Sequence, residues 1–123
     1  MNDNFDAVEI VYAAISSVGT VYKDKAPRDT SGTYVVVNSP SCAQRRFVNI
    51  PLVNVNIFVP KTSNGMVNRT SLKTIRTAVY SGVESADPEG YYCEIDRVFS
   101  ALVEDVREGY DCFTIRFELT LNA

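Results

Sequence analysis

Histidine is absent from the 123 residues. Its absence excludes the Ser-His-Asp and Cys-His acyl-transfer arrangements and removes the commonest transition-metal ligand. Phosphate-binding glycine loops of the G-x-x-x-x-G-K-[ST] and G-x-G-x-x-G types are missing too, the six glycines standing singly at expected turns and ends. No window approaches the roughly 18 consecutive apolar residues of a membrane span. The start, Met1-Asn2-Asp3-Asn4, is polar and acidic, whereas a secretory signal needs a positive start and an apolar run. The expectation is cytoplasmic synthesis without secretion. Cysteine is scarce: Cys42, Cys93 and Cys112 are odd in number and match no zinc spacing, so structural thiols are expected. A hairpin centred near Arg107 would set Cys112 opposite Leu102, not Cys93, which argues against a disulfide across it.

What is present is ordinary in amount and uneven in place. The length suits one domain, residues 1–123, able to bury roughly two-thirds of its unfolded surface. The apolar fraction is 46%, typical of a globular chain. Net charge is −3, yet residues 20–76 carry nine bases against two acids and residues 77–123 three bases against ten acids. Two readings are open: the blocks pair within the molecule, or the subunit shows opposite charge on two faces, as a heterologous ring contact would use.

Apolar spacing of three and four through Phe5, Val8, Tyr12, Ile15 and Val18 predicts a helix over residues 4–18, stopped by Gly19. A short strand over 20–22 and a charged loop with Pro27 follow. TYVVVN at 33–38 reads as a strand ended by Ser39-Pro40-Ser41. The clearest strand is 46–60, where Val53, Val55, Ile57 and Val59 take the core face and Leu52, Asn54, Asn56 and Phe58 the other. Pro51 suggests an edge position or a bulge there. Leu72, Ile75, Val79 and Val83 predict a second helix over 68–83, capped by Asn68 or Thr70. The cap is preferred over the glycosylation sequon reading of Asn68-Arg69-Thr70. Residues 87–90 read as a turn. A long strand over 91–104 puts Tyr91, Cys93, Ile95, Phe99, Ala101 and Val103 on one face. Arg97 interrupts it, which implies a bulge or a change of face; a helical turn over 98–104 is the alternative. A connection over 105–109 leads to a last strand, 110–121, with five strict alternations. The fold class expected is α+β: a mostly antiparallel sheet of about five strands, two helices on one face, order α-β-β-β-α-β-β.

The carboxylates suggest no catalytic pair. Glu94 and Asp96 share one strand face and read as solvated, not as a pair across a cleft. Glu104, Asp105 and Glu108 lack the spacing of a calcium loop. Tyr91-Tyr92 and Tyr110 either cluster at one end of the last two strands or stay apart. Scattered bases and an acidic balance argue against direct nucleic-acid binding. No cofactor or metal is called for, and a non-enzymatic chain is expected.

The layout as a whole resembles the tail terminator (tail-completion) and related head–tail joining proteins of long-tailed phages and prophages. The residues that carry this are the N-terminal helix ending in Gly19, the loop with Pro27, VNVNIFVP at 53–60, the second helix, the acidic turn at 104–109 and TIRFE at 114–118. The resemblance covers nearly the whole chain but rests on no diagnostic motif. It implies a mixed sheet flanked by helices, and a virion protein assembled in the bacterial cytoplasm. It implies a self-assembled ring, usually a hexamer, that stops tail-tube growth and docks the tail to the head-completion proteins, without cofactor, active site or membrane. No motif assigns contact residues. From the residues themselves, the candidates for subunit or tail contact are the loops 23–32 and 39–46, with Lys25, Arg28, Arg45 and Arg46, and the strand face Asn54, Asn56 and Phe58. Two alternatives stand beside this: another neck or head-closure component, and a small-ligand or peptide-binding module with a hollow between sheet and helices.

Overall fold

Asp3 starts the first helix. Its carboxylate accepts from the Phe5 N–H at 3.0 Å while Asp6 accepts from the Asp3 N–H at 3.0 Å, a reciprocal cap. The computed structural model describes residues 3–88 and 93–122. Helix α1 runs Asn4–Ile15, shorter than the spacing predicts, and Gly19 lies beyond it in extended backbone. Its buried side is Ala7, Val8, Ile10, Val11 and Ile15, so the stripe is rotated from the expected one. Phe5, expected inside, is 76% exposed. The rotation turns small residues toward α2 (Arg69–Glu84): Ala14 lies so close to Gly82 that a Cβ on Gly82 would meet the Ala14 carbonyl oxygen at 2.6 Å.

Five strands form one sheet in the order β1-β2-β3-β5-β4. They are β1 (Val21–Lys23), β2 (Tyr34–Gln44), β3 (Val48–Pro60), β4 (Cys93–Arg107) and β5 (Tyr110–Asn122). The element order and α+β class are as expected. The sheet is mixed, because β1 runs parallel to β2 while the other pairs are antiparallel. Asn68 is the cap of α2, its Oδ1 accepting from Ser71 N–H at 3.2 Å, and Leu72, Val79 and Val83 are buried as the spacing predicts.

One face of the sheet holds the core. Val35 and Val37 of β2, Val53, Val55, Ile57 and Val59 of β3, and Ile115, Phe117, Leu119 and Leu121 of β5 pack beneath α1 and α2. Each such side chain contributes roughly 1.5–3 kcal/mol by leaving water. These aliphatic and aromatic chains pack the space between the layers. The grooves present lie at the margins, such as the seam of α2 with β4 beside Tyr80, Ile95 and Phe117. Among the described residues no helix is long and apolar enough to cross a membrane.

Three expectations are corrected. β2 does not end at Ser39: a bulge between Asn38 and Ser41 carries it on to Gln44, with the Ser39 hydroxyl donating to the Leu52 carbonyl and Asn4 reaching the same hydroxyl at 3.0 Å. Pro51 is not on an edge, since β3 is the central strand. Its missing N–H falls where the ladder to β5 jumps from Asn49↔Leu121 to Leu52↔Glu118. The face assigned to β4 is split by a bulge between Arg97 and Phe99, with no helical turn. Cys93, Ile95 and Arg97 pair with odd-numbered residues of β5 on the helix side, whereas Phe99, Ala101 and Val103 pair with Arg116, Thr114 and Cys112 on the other side. The extra residue also moves Cys112 opposite Val103 rather than Leu102, and all three cysteines are free. The calls on Tyr91, Tyr92 and part of the turn at 87–90 lie outside the described residues.

Candidate interaction surface

The second face of the sheet carries no helix. Alternation along β3 and β5 puts polar side chains on it, and they satisfy one another. Asn56 donates to the Val36 carbonyl at 3.2 Å and accepts from the Thr114 hydroxyl at 2.9 Å. Arg116 Nε donates to Asn54 Oδ1 at 2.8 Å. The two asparagines, expected to be solvated or to meet another subunit, are cross-strand struts only partly open to solvent.

Toward the Pro60 end the face becomes aromatic. Tyr34 and Phe58 stack with ring centroids 4.7 Å apart, flanked by Tyr22 and Tyr110. Arg107 lies over the Tyr110 ring at 4.1 Å and donates to the Tyr34 hydroxyl at 3.1 Å and the Thr30 carbonyl at 2.9 Å. That last bond fastens the loop after β1 onto the sheet. Thr30 is buried in it and donates to the Pro27 carbonyl at 2.6 Å.

Of the seven candidate residues, Lys25, Arg28, Asn56 and Phe58 line one shallow groove with Arg107 and Tyr34. Asn54 sits next along β3. Arg45 and Arg46 are elsewhere: they are exposed in the turn joining β2 to β3, roughly 20–25 Å at strand rise beyond Asn38, where the groove ends. Arg46 stacks on Phe47, which is 75% exposed. The candidates therefore form two separate groups.

Pairing between the two charge blocks is present in part, at Lys61. Lys61, from the basic segment, bonds Asp111 at 2.8 Å and Asp105 at 3.3 Å, and Lys23 bonds Glu9 at 2.8 Å. Asp111 is buried. Burial pushes its carboxyl pKa up, but the Lys61 ammonium and the Asp105 N–H, donating at 3.0 Å, outweigh that and hold it below the usual value. The Asp111 bond holds the Lys61 pKa above its usual value against desolvation. This cluster fastens the β4–β5 turn to the end of β3. Arg45, Arg46, Lys25 and Arg28 remain at the surface.

The sequence reading missed one surface altogether. Beyond its bulge, β4 leaves Val98, Phe99, Leu102, Val103 and Val106 between 39% and 49% exposed. β4 is a sheet edge, so this is an apolar, partly unpaired strand in water, a feature that soluble chains cover or blunt. The available signal was the apolar run on both parities after Arg97, which a half-buried strand does not need.

No protein-family model matches the chain, and no curated protein matches it. Among solved structures, a chain described as "Virion of native gene transfer agent (GTA) particle" is similar in fold, with TM-score 0.54 and 10% identity, covering 92% of this chain and 84% of that one. At that identity the likeness is one of fold.

Proposed function

We propose that the chain is a non-enzymatic virion-assembly subunit that closes into a ring, a hexamer in the form expected of tail terminators, capping a tail tube and joining it to head-completion proteins. The observation that carries this is the exposed apolar arm of β4, an edge strand with hydrophobic side chains on both faces. An arm of this kind is a ready template for pairing, which soluble chains usually cover or blunt. The similarity in fold to a chain of a gene transfer agent virion, over 92% of this chain and 84% of that one, supports a virion structural role in general. The packed core beneath α1 and α2 favours assembly over the ligand-binding alternative.

Light scattering on a sizing column tests the proposal. Each subunit weighs 13.6 kDa. The expected mass is that of about six subunits at low salt, falling as salt screens the charged contacts. A monomer at low and moderate salt that also fails to bind tail-tube protein would overturn it.

A further inference from the structure

We infer that the β4 arm of one copy docks against the opposite edge of the sheet in a second copy, along the open part of β2 and the Arg45–Arg46 turn. The inference rests on the assembly reading above and names its contact.

The first argument is backbone pairing. β4 has β5 on one side only. At the other edge β1 is three residues long and pairs only with Val35, Val36 and Val37. The rest of β2, out to Gln44, has β3 on one side and no described strand on the other. Two open edges of one sheet, each able to accept a strand, suit sheet extension from copy to copy.

The second argument is charge. No Asp or Glu occurs from Thr30 to Val83, and the turn after β2 exposes Arg45 and Arg46; an acid does reach this edge from the start of α1, where Asn4 bonds Ser39 and Asp3 acts electrostatically on Cys42. β4 has two arginines, and both are folded back over rings of their own subunit: Arg97 over Tyr80 at 4.0 Å and Arg107 over Tyr110 at 4.1 Å. Asp96, Glu104 and Glu108 are exposed along β4 and its turn. Three bases of α2, Arg69, Lys73 and Arg76, lie on the helix side of the arm, where they line a groove with Leu102. On the open-face side Arg116 lies over the Phe99 ring at 5.4 Å, its Nε held by Asn54, so the exposed charges free to meet a partner along the arm and its turn are the acidic ones. Exposed acids thus stand at one edge of the sheet and the Arg45–Arg46 pair at the other.

The third argument is symmetry. The two surfaces differ, so the contact is heterologous and each copy uses both. Such contacts repeat until the ring closes. An isologous β4-to-β4 contact would instead set acid against acid.

The test is a pair of charge reversals read by light scattering at low salt. Arg45→Glu with Arg46→Glu makes both edges acidic; Glu104→Lys with Glu108→Lys makes both basic. All four residues are exposed, and unchanged circular dichroism checks the fold. Each variant alone is expected to lose the oligomer, its subunit dissociation constant rising about 10–100-fold or more. An equimolar mixture is expected to recover it, since acidic and basic copies alternate around an even-numbered ring. If the Arg45/Arg46 variant keeps the wild-type mass while Phe99→Asp with Val103→Asp becomes monomeric, assembly stands and this contact is wrong. A wild-type chain that stays monomeric at millimolar concentration overturns the contact and the self-assembly beneath it.

Discussion

Replacing Gly82 by alanine sets two effects of opposite sign against each other. Gly82 lies inside α2, where alanine is the better helix former by about 1 kcal/mol. On propensity alone, Gly82→Ala stabilises. The new Cβ would, however, stand 2.6 Å from the Ala14 carbonyl oxygen and 3.4 Å from Ile15 Cγ2. The oxygen belongs to the backbone of α1 and has no rotamer by which to move aside. The helices must separate, loosening the seam that holds Val11, Ile15, Val79 and Val83 against the sheet. Overpacking of this kind costs about 1–3 kcal/mol. The clash exceeds the propensity gain over most of that range, leaving a net loss of up to about 2 kcal/mol, or a fall in Tm of up to about 10 °C for a domain of this size. Urea and thermal unfolding followed by circular dichroism would read it. Ser81→Ala, one residue earlier and exposed, is the control: it gains propensity without a clash and should leave Tm equal or higher. A Gly82→Ala chain more stable than wild type would refute the close crossing of α1 and α2.

Two further outcomes follow from the open face and the β4–β5 turn. Asn56→Ala removes the acceptor of Thr114 and the donor to Val36; urea titration should show a loss of about 1–2 kcal/mol, whereas a residue serving only a partner would leave stability unchanged. The buried Asp111 has a folded pKa below its ordinary 3.8, so its contribution to stability is full above that value and is lost as pH falls through the lower, folded one. Lys61, raised above 10.5, contributes fully below 10.5 and loses its contribution as pH rises through the folded value. Acid unfolding of Asp111→Asn should lack this part of the slope below pH 3.8. In Lys61→Met the largest influence left on Asp111 is burial, so its pKa should move above the ordinary value, as NMR titration would read.

Where one residue's neighbours lie along its own element, the sequence was readable. The alternation of Val53, Val55, Ile57 and Val59 against Asn54, Asn56 and Phe58 placed β3 correctly, as the run from Phe113 to Leu121 placed β5. The α2 stripe was equally plain. Periodicity fails where the third dimension decides. Phe5 fits the stripe of α1 by spacing, yet the approach to Gly82 selects the side with Ala7 and Ala14. Asn54 and Asn56 read as contact residues because the pattern reveals their face but not Arg116 and Thr114 opposite them. Arg45 and Arg46 are 15 or more positions from Lys25 and Arg28 in the chain, and only the bulge that extends β2 reveals that they stand at its other end. The exposed arm is hard to read because apolar residues on both parities after Arg97 fit a buried strand as well as an open one.

The bulge at Val98 sets the phase of β4 from Phe99 to Val103. In a strand of period two, one extra residue exchanges the faces, and here it separates β4 into a first half that belongs to the subunit's interior and a second half that points outward. Were the strand regular through Val98 with every residue kept, Phe99, Ala101 and Val103 would share the parity of Cys93 and Ile95 and turn toward the helices. The division between what holds one molecule together and what it offers to another therefore rests on one residue standing out of the ladder, which lets side chains of the same sequence parity serve opposite faces.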